Sequence, residues 1–157
     1  MNYLPIALRI SGRKVVVVGA GKVAQRKVKT LVAAGAKVTL VAPQATPALK
    51  RLAQARRIKW LRRPIAKSDL SRANLVISAT NQAAVNARIS QWARQKKIAV
   101  NVVDKPGLSD FISPAILKKG LALIAVYTDG KDPVLSRDLK NYLGDNWDDF
   151  LLFRHRP

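Results

Sequence analysis

The stretch Lys14-Val15-Val16-Val17-Val18-Gly19-Ala20-Gly21-Lys22-Val23-Ala24 decides the fold. Its four consecutive valines are β-branched and too few for a helix, so they predict a buried parallel strand over Lys14–Val18. Apolar residues then recur at helical spacing, which predicts a helix over Val23–Ala34 that ends at Gly35. A strand, a glycine turn and a helix in this order form the first unit of a dinucleotide-binding domain.

The glycine turn has the spacing G-x-G-x-x-A, and each small residue has a separate role. Gly19 permits a tight turn, Gly21 lets the backbone approach a pyrophosphate, and Ala24 lets the helix pack closely on the strand. The start of the helix offers free N–H groups and the positive end of its dipole to phosphates. The candidate cofactor residues of this loop are therefore Gly19, Gly21, Lys22, Val23 and Ala24.

The acidic residue that usually binds the adenine ribose is missing. It is expected at the end of the second strand, near Leu40 to Ala42, but the chain has no acid before Asp69. Ribose contacts would then come from the backbone or from side chains such as Gln44 and Thr46. The predicted cofactor is NAD, and NADP stays open although no Arg directly follows this strand.

Further alternation of strands and helices predicts a doubly wound parallel sheet over residues 1–105. Short apolar runs separated by helical patterns carry this prediction. The predicted strands are Lys37–Val41, Ile58–Leu61, Leu75–Ala79 and Ala99–Val103, and the predicted helices are Pro47–Ala55 and Gln82–Gln95, the second capped by Thr80-Asn81.

The pattern changes over residues 106–157, which form a second, smaller segment. Phe111–Ile116 and Leu121–Thr128 are predicted to be extended around a turn at Lys118-Lys119-Gly120. Asp132-Pro133 then opens a helix over Val134–Leu143. An aromatic tail follows (Trp147, Phe150, Phe153), with Asp145, Asp148 and Asp149 on a solvated face. This segment is too small for an independent core, so we expect it to pack on the first domain or on another subunit.

The formal net charge is +20, and residues 1–68 carry sixteen Lys or Arg and no acid. Such a field attracts polyanions, which include nucleic acid, an acidic membrane and a polycarboxylate substrate. A solvated basic surface without a partner is the simpler alternative. The basic residues are spread through several elements and no aromatic residues are interleaved with them, which disfavours nucleic acid.

Composition disfavours several other classes of protein. The chain has no cysteine and no glutamate, and its single histidine, His155, is expected to be a solvated tail residue, so no metal site is predicted. No apolar run is long enough to span a membrane, and the first residues do not resemble a secretory signal. These features predict a cytoplasmic protein.

Asp104 follows the predicted strand Ala99–Val103, at the edge of the sheet where open α/β folds bind ligands. A carboxylate at this edge could remove a proton or bind a metal. Position alone favours a simpler role, in which Asp104 caps a turn.

Several stretches of the chain resemble the precorrin-2 dehydrogenase domain of siroheme synthases. In family order they are Tyr3-Leu4-Pro5-Ile6 with Arg9 onward, Val17-Val18-Gly19-Ala20-Gly21-Lys22-Val23-Ala24-Gln25-Arg26-Lys27, Ile77-Ser78-Ala79-Thr80 with Val85-Asn86, Asn101-Val102-Val103-Asp104, Asp110-Phe111-Ile112-Ser113-Pro114-Ala115 and Asp132-Pro133-Val134-Leu135-Ser136. The resemblance covers nearly the whole chain.

The resemblance implies NAD-dependent oxidation of precorrin-2, a tetrapyrrole polycarboxylate, to sirohydrochlorin. Asp104 matches the family's essential acid–base residue. Thr80 and Asn81 join the cofactor site, and Asn101 and Thr128 become candidate substrate contacts. The segment after residue 105 matches a dimerisation region. The expected architecture is thus a Rossmann-like doubly wound sheet with a small C-terminal α+β dimerisation segment, in a homodimer.

The chain departs from the family pattern at three places, and two other functions stay open. Asn81-Gln82 replaces an acidic pair, and Tyr127–Asp132 replaces a run rich in Ser, Thr and Gly. Many members continue into a helical C-terminal domain, which we expect to be truncated or absent here. The alternatives are a chelatase that inserts iron or cobalt into sirohydrochlorin, alone or as a second activity, and a non-catalytic NAD-sensing module.

Overall fold

The computed structural model describes residues 3–154, which divide into two compact units. The first unit comprises Ile6–Phe111, and the second comprises residues 3–5 with 112–154. The prediction made for His155 lies outside the described residues. Of the helices in the described range, none is both long and apolar enough to cross a membrane.

The first unit contains a sheet of five parallel strands in the order β3-β2-β1-β4-β5. This order confirms the predicted doubly wound architecture. In chain order its elements are β1 (Lys14–Val18), α1 (Lys22–Ala33), β2 (Lys37–Val41), α2 (Pro47–Gln54), β3 (Lys59–Leu61), a 3₁₀ helix (Lys67–Leu70), β4 (Leu75–Ser78), α3 (Ala83–Gln95), β5 (Ala99–Val102) and a second 3₁₀ helix (Pro106–Leu108).

Helices cover both faces of this sheet because alternate side chains of each strand point to opposite sides. Val15 and Val17 pack in one cluster with Leu49 of α2 and with the buried face of α1. Val16 and Val18 pack in a second cluster with Ile89 of α3. All four valines are at most 4% exposed, as a strand buried on both faces requires.

The strand register places the carboxyl ends of all five strands at one edge of the sheet. Val18 pairs with Val41 on one side and with Ser78 on the other, and Ser78 pairs with Val102. Leu61, the last residue of β3, pairs with Val41. The loops that follow β1, β2, β3, β4 and β5 therefore emerge side by side.

Several predicted boundaries were wrong by one or two residues. Helix α3 begins at Ala83 with Gln82 as its N-cap residue, and the Thr80 hydroxyl accepts the Gln82 N–H at 3.2 Å, so Thr80-Asn81 is not the cap. Strand β3 begins at Lys59, because pairing with β2 begins there, opposite Thr39. The predicted end of α1 is confirmed within a residue, since Gly35 has a φ of +78° directly after the helix.

The first unit extends past residue 105 to Phe111, because side chains tie this segment to β5. The Ser109 hydroxyl accepts the Val102 N–H at 2.8 Å. The Asp110 carboxylate accepts the Val100 N–H at 3.1 Å. These contacts hold the chain against the sheet until just before the second unit.

The second unit is a two-stranded antiparallel sheet packed against a helix. Its elements are β6 (Ala115–Lys119), β7 (Ala122–Val126), α4 (Pro133–Asp145) and α5 (Trp147–Arg154). The Asp132 carboxylate accepts the Leu135 N–H at 2.7 Å, which confirms that Asp132-Pro133 opens a helix. Asp145, Asp148 and Asp149 are exposed, as predicted.

Two predictions for this hairpin were wrong. Lys118 and Lys119 belong to β6, because Lys119 pairs with Ala122 and leaves a two-residue turn in which Gly120 has a φ of +57°. The extended pairing also begins at Ala115 rather than at Phe111, because the Phe111 carbonyl accepts a hydrogen bond from Asn101 of the first unit's sheet.

Candidate functional site

Gly19 is wedged between the ends of β2 and β4. Its N–H donates to the Val41 carbonyl at 3.0 Å, and its φ is +93°. A Cβ at this position would overlap the backbone carbonyl oxygen of Ala79. Position 19 therefore requires glycine for both its backbone conformation and its close approach to β4.

Gly21, in contrast, faces open space. A Cβ added there would meet no atom within 4 Å, and its φ of −77° is one that any residue adopts. The N–H groups of Lys22, Val23 and Ala24 have no partner among the described residues, because they lie in the first turn of α1. This turn contains no acidic residue. An open cradle lined by free N–H donors fits a dinucleotide pyrophosphate.

The other small residue of the loop has the predicted packing role. Ala24 is fully buried in the cluster that joins α1 to β1, so the helix lies close to the strand. Lys22 is exposed and Val23 is half-buried at the mouth of the same turn.

The hydroxyl groups proposed for the cofactor are engaged within the fold. Thr80 donates to Asn86 Oδ1 at 2.7 Å, and Asn86 in turn donates to the Thr80 carbonyl at 3.0 Å. Thr46 donates to Gln25 Oε1 at 2.7 Å and accepts the Leu49 N–H at the start of α2. Asn81 and Gln44 are exposed. Thr80 and Thr46 therefore fix loops at the edge of the sheet, and Asn86 is a partner that we did not assign from the sequence.

Asp104 lies just past β5 with a φ of +59° and an exposed side chain. Its carboxylate has no hydrogen bond or ion pair with any other described residue. β5 is two strands from β1, which corresponds to about 10 Å across the sheet. A free carboxylate is thus presented at the same edge as the glycine loop.

Lys27 links α1 to this carboxylate, and the sequence gave no reason to single it out beyond its place in a matching stretch. It is half-buried and forms no ion pair within 4 Å among residues 3–154. Burial lowers the pKa of Lys27 below its ordinary 10.5, the charge of Arg26 lowers it further, and the charge of Asp104 opposes both. The Lys27 ammonium therefore lies within electrostatic range of the Asp104 carboxylate.

The lowered pKa of Lys27 predicts a pH dependence of stability. Between this pKa and 10.5 the unfolded chain holds a proton that the folded chain lacks, so the free energy of unfolding rises with pH. Lys27→Gln is expected to remove this contribution to the rise. Urea unfolding at about pH 8 and about pH 10 measures it. Lys29→Gln, an exposed lysine on the same helix, is the matched control, and equal slopes for the two variants would contradict the assignment.

Asn101 is 5% exposed and faces the interior of the first unit. Its Nδ2 donates to the Phe111 carbonyl at 2.9 Å, whereas its buried Oδ1 has no partner among the described residues. The amide therefore holds the segment that follows Asp104, and no atom of it is presented to solvent as an open ligand contact.

Thr128 belongs to the second unit, where its hydroxyl serves the start of α4. It donates to the Asp132 carbonyl at 2.6 Å and lies 2.9 Å from the Ser136 hydroxyl. The same unit contains a cavity of about 360 Å³, which is lined by Tyr3, Pro5, Ile112, Tyr127, Thr128 and Asp129. Within the described residues, no three His, Cys, Asp or Glu side chains group closely enough to hold a metal ion.

Comparison with known proteins gives consistent matches. A family described as putative NAD(P)-binding matches residues 6–115. Siroheme synthase 3 of Aeromonas hydrophila is 43% identical over 143 residues, which cover 91% of this chain and 31% of that protein. The precorrin-2 dehydrogenase of Bacillus subtilis is 39% identical over 136 residues, which cover 87% of this chain and 83% of that protein.

Solved structures agree with these matches. The structure of SirC, a precorrin-2 dehydrogenase, has a TM-score of 0.80 and 27% identity, covering 92% of this chain and 71% of that one. The D-lactate dehydrogenase of Escherichia coli, at 14% identity and a TM-score of 0.50, shares the fold alone. The chain thus spans about a third of the siroheme synthases that it matches and most of the B. subtilis protein.

Proposed function

Because the chain belongs to the precorrin-2 dehydrogenase family and its first unit is an NAD(P)-binding domain, we propose that it oxidises precorrin-2 to sirohydrochlorin with NAD as hydride acceptor. The observation that carries this proposal is the shared edge of the sheet. The glycine cradle follows β1, and the free Asp104 carboxylate follows β5 two strands away.

Each group at this edge has a task in the proposed reaction. NAD, when bound, accepts the hydride that leaves a carbon of the macrocycle. The N–H groups of Lys22, Val23 and Ala24 bind the pyrophosphate, and the missing Cβ of Gly21 leaves room for it. Asp104 accepts the proton that must leave the macrocycle with the hydride, and then releases it to water. Lys27 stabilises the carboxylate form of Asp104 between turnovers.

The charge distribution supports a polyanionic substrate. A net charge of +20 raises the local concentration of polycarboxylates and speeds their association. Asn101 and Thr128 act here as positioning residues, because their polar groups hold the segment after Asp104 and the start of α4. We place the reaction in the cytoplasm, which the absence of cysteine supports.

The test is turnover under anaerobic conditions with precorrin-2 and with NAD or NADP. Appearance of the sirohydrochlorin spectrum only when a dinucleotide is present supports the proposal. Binding of NAD without turnover would indicate a sensing module. Insertion of iron into supplied sirohydrochlorin with no oxidation of precorrin-2 would indicate a chelatase.

We further propose that the chain forms a homodimer through its second unit. A two-stranded sheet is marginally stable alone, and this unit leaves many apolar side chains exposed. They are Ile116, Leu121, Leu123, Val134, Leu135, Leu139, Tyr142, Phe150, Leu152 and Phe153. A second copy of the chain would cover such a surface, as the family resemblance implies.

Leu123→Lys is expected to dissociate this dimer, because Leu123 is 64% exposed on β7 and a lysine there would place a charge in the interface. Sedimentation velocity measures the change from dimer to monomer. Leu8→Lys, at a leucine that is 59% exposed in the first unit, is the matched control and should remain dimeric. A monomeric wild-type chain at micromolar concentration would contradict the proposal.

A further inference from the structure

The edge beside β2 lacks the group that normally selects NAD over NADP. In dinucleotide-binding folds an acid at the end of the second strand binds the ribose 2′-hydroxyl and repels a 2′-phosphate. Here Val41, Ala42 and Pro43 occupy these positions. Since residues 1–68 contain no acid, neither β2 nor the loop after it can repel a phosphate.

The neighbouring strand β3 brings an arginine to the same edge. Leu61, at the end of β3, pairs with Val41, and its carbonyl accepts the Ala42 N–H at 3.2 Å. Arg62 is the next residue, so its backbone emerges beside the end of β2. An arginine that is distant in sequence thus takes the place of one directly after β2.

An indole ring anchors the Arg62 side chain near this backbone. Trp60 Nε1 donates to the Ala42 carbonyl at 2.9 Å, which fixes the ring against the end of β2. The Arg62 guanidinium carbon lies 5.9 Å from the centroid of that ring. A guanidinium at this distance is attracted to the ring while its N–H donors stay available.

Arg62 is free to bind an anion, whereas its neighbour is not. Arg63 binds both carboxylate oxygens of Asp69, at 2.8 and 2.6 Å, and this pairing holds the pKa of Asp69 below its ordinary value. The first acid of the chain is thereby neutralised by Arg63. Arg62 has no ion pair or hydrogen bond from its side chain to any residue within 3–154.

We propose that Arg62 binds the 2′-phosphate of NADP, so that the chain binds NADP at least as tightly as NAD. The inference rests on the dinucleotide site of the proposed function and adds its specificity. Guanidinium groups bind phosphate oxygens through paired N–H donors, and Arg62 supplies such a pair beside the ribose position. No compensating acid opposes it there.

Isothermal titration calorimetry of the full chain with NAD and with NADP tests this inference. Wild-type protein is expected to bind NADP with an affinity equal to or higher than that for NAD. Arg62→Gln should weaken NADP binding by about tenfold and leave NAD binding unchanged, which also reports that the variant is folded. The probe 2′,5′-ADP should lose affinity in the same way, whereas 5′-ADP should not.

Arg57→Gln is the matched control. Arg57 is exposed just before β3, at the opposite edge of the sheet, so this variant removes the same charge without touching the proposed phosphate site. Tenfold weaker binding of NADP than of NAD by the wild-type chain would overturn the inference alone. Equal losses of NADP affinity in Arg62→Gln and Arg57→Gln would also overturn it. Binding of neither dinucleotide would overturn the proposed function as well.

Discussion

Asp104→Asn is expected to lower the rate of precorrin-2 oxidation by at least about a hundredfold, because an amide cannot accept the proton that must leave the macrocycle. Affinity for NAD should stay unchanged, since the cradle that binds the pyrophosphate belongs to the β1–α1 loop. Asn suits this position better than Ala, because Asp104 has a φ of +59° and Asn tolerates that conformation. Steady-state turnover and calorimetric NAD binding measure the two effects.

Asp110→Asn is the control for this experiment. Asp110 lies in the segment after Asp104, but its carboxylate accepts the Val100 N–H and pairs with Arg94, so its role is structural. An Asn at position 110 retains an acceptor for Val100, and turnover should stay within about a factor of two because the exposed ion pair contributes little. Near-normal turnover in Asp104→Asn would show that another group accepts the proton.

Gly19→Ala is expected to lower the free energy of unfolding by about 3 kcal/mol or more. The added methyl group would be held at a φ of +93° and would overlap the Ala79 carbonyl, which can move only by disturbing the junction of β1 and β4. Gly12→Ala separates the two causes. Gly12 has a φ of +73° with open space around it, so this variant should lose only about 1 kcal/mol. Urea unfolding measures both.

Gly21→Ala should give the opposite pattern. Its added methyl group meets no protein atom, so the free energy of unfolding should be nearly unchanged. The methyl would occupy the space into which the pyrophosphate fits, and NAD affinity should fall by at least about tenfold. Calorimetry measures this loss. If Gly21→Ala bound NAD normally, or if Gly19→Ala were as stable as Gly12→Ala, the account of the glycine loop would be wrong.

The sequence predicts the first unit well because its signals are local. Four valines followed by Gly19 specify a strand and a turn within a few residues, and their neighbours decide nothing further. Gly35 and Asp132-Pro133 set helix ends by backbone chemistry that is likewise local. The hairpin boundaries were less predictable, because the Lys119–Ala122 pairing that includes Lys118 and Lys119 in β6 is decided between two strands.

The candidate site is harder to predict, since a polar residue type does not reveal its partner. Thr46 and Thr128 matched the chemistry of ligand contacts, yet both hydroxyls are engaged at helix starts. Arg62 was missed because its place beside Ala42 depends on the parallel register of β2 and β3, which brings together residues far apart in sequence. Lys27 differs from the other lysines only in its burial and its nearness to Asp104.

The central claim is that this chain transfers a hydride from precorrin-2 to a nicotinamide cofactor while Asp104 accepts a proton. The most direct test follows the reduced nicotinamide and sirohydrochlorin together in one anaerobic reaction of the purified chain. The account predicts that the two products form in equal amounts with the wild-type chain, and that both nearly disappear in Asp104→Asn. Formation of sirohydrochlorin without reduced nicotinamide, or of neither product by a chain that binds both NAD and precorrin-2, would contradict it.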